Sequence, residues 1–186
     1  MTLIEVIKQH NLFKGEHMDG TDKEFLHNYV TNYYQQAFEP LQNEPIHLFE
    51  IGTCTGASLK MWKEFFVNGK IEGVDIHDRR KEEYIDESIT YHHSDAYQQA
   101  FVDSLGEFDI IIDDGPHTLG SQLAAVNLYY PKLKDGGIFV IEDIDSDDNI
   151  RILSEEAKKV FGKEANIIDR RNETGLNNEI LLWITK

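Results

Sequence analysis

Two apolar runs in this chain each end in adjacent acids. One is Phe108-Asp109-Ile110-Ile111-Ile112-Asp113-Asp114-Gly115-Pro116-His117, and the other is Ile138-Phe139-Val140-Ile141-Glu142-Asp143. Short runs of branched and aromatic residues read as strands buried on both faces of a parallel sheet. An ionised carboxylate at the end of such a strand needs a partner or a metal. Open α/β sheets bind their ligands beyond the carboxyl ends of the strands. Asp114, Glu142 and Asp143 offer only oxygen, the ligand that a hard cation such as Mg²⁺ takes in an octahedral site shared with water and substrate. Zinc is disfavoured, since carboxylates outnumber nitrogen ligands and no thiolate is near. His117, three residues after Asp114, is the candidate general base, with an unperturbed pKa of about 6.5. Asp113 is expected to face a cofactor or the core. Any one of these acids alone also suits a cap or a salt bridge; together they predict an enzyme with a metal site.

A second constellation precedes it. The strand read over 46–51 runs into Glu50-Ile51-Gly52-Thr53-Cys54-Thr55-Gly56. Gly52 and Gly56 permit a sharp turn and close backbone approach to a ligand at a helix N-terminus. Asp75, twenty-three residues after Gly52 and at the end of the next strand, is placed to accept from both hydroxyls of a ribose. Asp95 follows the third strand, within reach of an adenine amino group. The loop lacks the middle glycine of the dinucleotide fingerprint, which weakens a nicotinamide reading. The three signals in order favour an adenosine-bearing cofactor, and Cys54 reads as a small space-filling residue.

The elements that must hold these groups alternate. Strands are expected at 46–51, 71–76, 89–93, 108–113 and 138–141, with helices at 58–66, 79–87, 95–105, 119–130 and 150–161 between and after them. Two further strands, 165–169 and 179–185, flank a polar turn-rich stretch and predict an antiparallel hairpin at the sheet edge. Residues 1–12 and 22–38 read as helices with a loop at 15–24, and His92-His93 as a strand end facing solvent. Strand–helix alternation of this kind predicts an α/β, doubly wound, Rossmann-like sheet of seven strands, the last antiparallel. The expected organisation is one domain over 1–186, with 1–44 a helical cap and 45–186 the α/β core.

Composition narrows the partners. A formal charge of −16 over 186 residues repels phosphate backbones and anionic lipid, so neither nucleic acid nor membrane is expected. The single Cys54 excludes an internal disulfide, and with no leader-like or membrane-length apolar run, a cytoplasmic setting is expected. The implied partner is a small molecule, with a homo-oligomer left open.

The strand and loop at Phe49-Glu50-Ile51-Gly52, the Gly56 turn, Asp75, Asp95 and Leu133-Lys134-Asp135-Gly136-Gly137-Ile138 resemble the class I S-adenosylmethionine-dependent methyltransferases. Gly20-Thr21-Asp22-Lys23, the stretch 56–62, Ile111-Ile112-Asp113-Asp114-Gly115-Pro116-His117 and Ile141-Glu142-Asp143 narrow the resemblance. It is to the metal-dependent sugar O-methyltransferases of macrolide and aminocoumarin antibiotic biosynthesis. That resemblance implies S-adenosyl-L-methionine as cofactor and a sugar or similar polyol hydroxyl as acceptor. It assigns Glu50, Gly52, Gly56 and Ser58 to the methionine and ribose side of the pocket, Asp75 to the ribose and Asp95 to the adenine. Thr21, Lys23 and Tyr29 would fold over the cofactor; Asp114, Glu142 and Asp143 would hold Mg²⁺; and His117 would be the base. Two departures concern the acceptor: Pro116 stands where the family usually has serine, and the acidic stretch 145–148 replaces an aromatic and polar loop. A catechol-like acceptor and a cofactor-binding protein without turnover are the alternatives.

Overall fold

The computed structural model describes residues 1–13, 20–25 and 27–186. Residues 15–19 of the loop expected at 15–24 lie outside the described residues, as does Leu26. The strands are β1 (His47–Ile51), β2 (Lys70–Asp75), β3 (Ile89–His93), β4 (Phe108–Asp113), β5 (Leu133–Ile144), β6 (Asn166–Asp169) and β7 (Ile180–Thr185). They form one seven-stranded sheet in the order β3-β2-β1-β4-β5-β7-β6. The first five are parallel, and β7 enters antiparallel between β5 and β6. The helices are α1 (Leu3–Gln9), α2 (Asp22–Phe25), α3 (Gln35–Phe38), α4 (Ala57–Phe65), α5 (Gln99–Ser104), α6 (Leu119–Tyr129), α7 (Asp147–Phe161) and α8 (Arg171–Thr174). Among the described residues no helix is long and apolar enough to cross a membrane.

Two apolar layers cover the sheet. The N-terminal helices and α4 bury Tyr34, Phe38 and Trp62 against Leu48, Ile110, Ile112 and Val140. Helices α5, α6 and α7 cover the opposite face, around Phe49, Ile111, Phe139 and Ile141. Because successive strand side chains point to opposite faces, Glu50 and Glu142 share parity with Leu48 and Val140 and turn toward the N-terminal layer. Asp113 shares parity with Ile111 and turns the other way.

Several elements differ from the sequence reading, each for a local reason. The single helix expected over 22–38 is broken. Asn28 adopts a left-handed backbone with φ 51°, and the chain resumes as a π-helical turn at Val30–Tyr34 before α3. The helix expected at 79–87 is only a 3₁₀ turn, Glu82–Tyr84. Asp78 and Asp86 accept from the backbone N–H groups of Arg80 and Ser88, bonds that compete with a helix. Asp95 accepts from the Tyr97 N–H at 3.0 Å, and α5 starts only at Gln99. Glycines Gly136 and Gly137 lie inside β5 rather than before it, because the backbone of Lys186 pairs with both. The polar stretch between β6 and β7 contains α8, ended by Gly175 at φ 74°. Ser146 caps α7, which begins at Asp147. The acids of the 145–148 run thus lie at or beside a helix N-terminus, where the macrodipole favours negative charge.

Candidate active site

A cleft of about 470 Å³ opens at the carboxyl ends of β1, β2, β3 and β4, lined among others by Gly52, Asp75, Asp95, Tyr97, Asp114 and His117. That volume is in the range of small-molecule and cofactor sites. Gly52 shapes its floor: at φ 83°, an added Cβ would lie 1.9 Å from the Asp114 carbonyl oxygen. The β1 turn therefore passes against the β4 turn as only glycine permits. Gly56, at φ 88°, starts α4. Asp75 is buried at the cleft wall and accepts backbone N–H groups from Cys54 and His77, each at 2.8 Å. Each oxygen keeps a second lone pair for a ligand hydroxyl. Asp95 also borders the cleft, capping the Tyr97 turn and accepting from the Gln98 amide at 2.9 Å.

At one end of the cleft three ligand-type atoms converge. Asp114, His117 and Asp143 each offer one atom, all within 4.8 Å of one another. The His117 Nε2 atom is 3.8 Å from Asp114 Oδ1 and 3.8 Å from Asp143 Oδ2. These gaps are too long for hydrogen bonds, and they leave room between the groups. His117 and Asp143 both hold left-handed backbones, φ 56° and 57°. Such conformations in residues other than glycine are uncommon and cluster at functional sites. For Asp143 the cause is visible in the sheet. Ile141 pairs with Leu182 and Ile144 with Ile180, so β5 carries one extra residue. The resulting bulge re-aims the side chains at its end. Burial holds the His117 pKa below its ordinary value although the Asp143 carboxylate pulls it up, which keeps the imidazole neutral near pH 7.

Behind this cluster lies a group of paired charges that the sequence did not reveal. The Lys23 ammonium, 1% exposed, sits 2.6 Å from Asp114 Oδ2, 2.8 Å from Glu142 Oε2 and 3.1 Å from Glu50 Oε1. The Trp62 indole N–H donates to the other Glu50 oxygen at 3.1 Å, and the Tyr34 hydroxyl donates to Glu142 Oε1. Burial alone would lower the Lys23 pKa, but Asp114, Glu142 and Glu50 raise it well above the ordinary range. Burial also raises Asp114, and it pushes Glu142 up to about 7 despite Lys23. Glu142 thus faces Lys23 and Tyr34, outside the three-atom cluster.

Other expected residues are dispersed. Asp113 is buried on the far face, where Oδ1 accepts from the Tyr97 hydroxyl at 2.7 Å. Burial pushes its pKa up to about 7. Ser58 is buried within α4, and buried Thr21 accepts from the Lys23 N–H at 3.3 Å. The Tyr29 hydroxyl donates to Asp143 Oδ1 at 3.0 Å. His92 and His93 both have partners, Glu72 and the Ile76 carbonyl, each at 3.0 Å. Sequence reasoning missed Tyr34, Tyr97, His27 and Glu179 as neighbours of the acids. The available signal was charge balance: acids at the carboxyl ends of β1, β4 and β5 with no Lys or Arg at those ends.

Comparison with known proteins places this geometry in a family. The methyltransferase-domain family matches residues 49–144. The chain is 34% identical over 134 residues to 8-demethyl-8-alpha-L-rhamnosyl tetracenomycin-C 2'-O-methyltransferase of Streptomyces olivaceus, covering 67% of this chain and 35% of that protein. It is 35% identical over 132 residues to mycinamicin VI 2''-O-methyltransferase of Micromonospora griseorubida, covering 64% and 32%. This chain thus spans about a third of the length of those relatives. Among solved structures, the MycE methyltransferase of the mycinamycin biosynthetic pathway, in complex with Mg and SAH, aligns with a TM-score of 0.65 at 31% identity. The alignment covers 77% of this chain and 39% of that one. A structure described as cmcI-D160 Mg-SAM shares the fold, with a TM-score of 0.61 at 19% identity over 91% of this chain and 81% of that one. With β7 inserted antiparallel beside β5, the glycine turn after β1 and a family match from Phe49 to Ile144, this chain belongs to the methyltransferase-domain family.

Proposed function

We propose that this chain carries the cofactor and metal sites of an S-adenosylmethionine-dependent, Mg²⁺-dependent O-methyltransferase whose acceptor is a sugar hydroxyl. The observation that carries the reading is the meeting of Asp114, His117 and Asp143 at the end of a cleft that also exposes Asp75 and Asp95. The donor set fits a hard cation: two carboxylates with open space between them and remaining positions for water or substrate oxygen. The cleft fits an adenosine-bearing cofactor, with the glycine-floored turn at Gly52 and the carboxylate of Asp75 retaining lone pairs. The sugar acceptor is carried over from the relatives named above. In organisation we take 1–44 as a cap on the α/β core 45–186 of one domain, in a cytoplasmic setting.

In this reading Asp114 and Asp143 hold the cation, and Glu142 joins them only by leaving Lys23. When bound, Mg²⁺ lowers the pKa of an acceptor hydroxyl and orients it, and S-adenosylmethionine supplies the methyl group. The chain's own residues do the rest. Gly52 would let the cofactor approach the strand ends, and Asp75 and Asp95 would hold its ribose and adenine. His117 Nε2, neutral because burial depresses its pKa, would take the proton of the acceptor hydroxyl. Its left-handed turn, stiffened by Pro116, aims the ring toward the cluster.

Calorimetric titration with S-adenosylhomocysteine, with and without Mg²⁺ and with NADH as control, tests this. Binding of S-adenosylhomocysteine but not NADH is expected, followed by turnover on glycosylated acceptors rather than catechols. No binding under either condition would remove the cofactor assignment.

A further inference from the structure

The side chains behind Asp143 form a chain of contacts that the reaction itself does not use. The Tyr29 hydroxyl donates to Asp143 Oδ1 at 3.0 Å, while Oδ2 is the atom facing His117. The Tyr29 ring, fully buried, stacks on His27 with centroids 4.9 Å apart and planes 19° apart. His27 is fixed at two points. Its Nδ1 pairs with Glu179 Oε1, and its backbone carbonyl accepts from the Arg170 guanidinium. Arg170 Nη1 also lies 3.9 Å from Glu179 Oε2. His27, Arg170 and Glu179 are all buried, at 5%, 5% and 0% exposure. Two buried charges from the β6–β7 hairpin are therefore committed to holding a histidine from the N-terminal segment. Taking ions out of water carries a desolvation penalty, and an anchor alone is made at lower cost by apolar contacts.

We propose that Tyr29, locked from behind by His27, Glu179 and Arg170, is the positioning residue for Asp143, occupying Oδ1 so that Oδ2 alone faces the cation. The inference rests on the metal reading above. It assigns Tyr29 to the metal ligand rather than to the cofactor, and it gives the C-terminal hairpin a part in the site. Asp143 sits on a bulge at φ 57°, a conformation that its backbone does not prefer and that outside contacts must hold. Partners that orient a metal ligand typically alter metal affinity 10- to 100-fold when removed.

The test is Mn²⁺ binding to the full chain, followed by the electron paramagnetic resonance of free Mn²⁺, in wild type, Asp114→Ala, Tyr29→Phe, Glu179→Gln and the Tyr29→Phe/Glu179→Gln double variant. Wild type should bind and Asp114→Ala should not. Tyr29→Phe, which keeps the stacked ring, should bind about 10- to 100-fold more weakly with its S-adenosylhomocysteine affinity unchanged. Glu179→Gln should weaken Mn²⁺ binding in the same direction, and the double variant should be no worse than Tyr29→Phe alone, since the groups act in series. Wild-type affinity in Tyr29→Phe, with Asp114→Ala still inactive in binding, overturns the positioning role and leaves the metal reading standing. A lowered melting temperature with unchanged Mn²⁺ affinity in Glu179→Gln makes the hairpin an anchor only and overturns its share. Absence of Mn²⁺ binding in wild type removes the metal reading and this inference with it.

Discussion

Replacing Lys23 by methionine keeps most of the side-chain length and removes the cation held between buried Glu50 and Glu142 and partly buried Asp114. At 2.6, 2.8 and 3.1 Å from Asp114, Glu142 and Glu50, each attraction is about 6 kcal/mol at an effective dielectric of about 20. Mutual repulsion of the acids and the desolvation of every ion oppose this sum. The net loss on removing one member of a buried charge cluster is about 3–5 kcal/mol. At roughly 2–4 °C per kcal/mol for a chain of this size, the melting temperature should fall by roughly 6–20 °C. The loss should depend on pH. Glu142 titrates at about 7 in the folded protein, above its ordinary 4.5, because it is buried. A raised acid pKa means that the folded state binds more protons, so stability falls as pH rises through that window. Without Lys23 the window extends upward, and Lys23→Met should lose least near pH 5.5 and most near pH 8. Thermal unfolding at both pH values, with and without Mg²⁺, is the assay, and Mg²⁺ at pH 8 should restore part of the loss. A loss under about 1 kcal/mol, equal at both pH values, would refute the reasoning and mean that the acids do not depend on Lys23.

Three further outcomes are expected. His117→Ala should leave cofactor and metal binding nearly intact while lowering turnover about 10²- to 10⁴-fold; equal loss of cofactor binding would make His117 structural. Gly52→Ala forces a Cβ to 1.9 Å from the Asp114 carbonyl at φ 83°, so both melting temperature and metal affinity should drop, and a wild-type value of either would contradict the close approach. Glu72 is raised by burial, but hydrogen bonds from Lys70, His92 and His47 outweigh this and hold it at about 2. Its folded pKa lies below the ordinary 4.5, so the stability that it contributes is present above that value and is lost as pH falls toward 2. Glu72→Gln should therefore be less stable than wild type at pH 7 and approach it by pH 3, as followed by urea denaturation; a constant gap across that range would count against the His–Glu–His cluster.

The sequence by itself determined the strands, their order of ends and the chemistry gathered there. Branched runs at 46–51, 71–76, 108–113 and 138–141 are local signals of buried strands, and each is present in the sheet. The acids following them reach the ligand-binding edge because every parallel strand ends on the same side. Helices with strong local competitors were less legible, as Asp78, Asp86 and Asn28 demonstrate. Tertiary structure alone decided how the acids divide. Strand parity sends Asp113 to Tyr97 and Glu142 to Lys23, and a one-residue bulge turns Asp143 toward His117. Sequence spacing carries no record of a bulge, nor of which distant cation pairs with the acids. Lys23 reaches Glu142 across 119 positions and His27 reaches Glu179 across 152. Such pairs are set by how the N-terminal segment and the last hairpin pack on the sheet, and local residue patterns do not encode that packing.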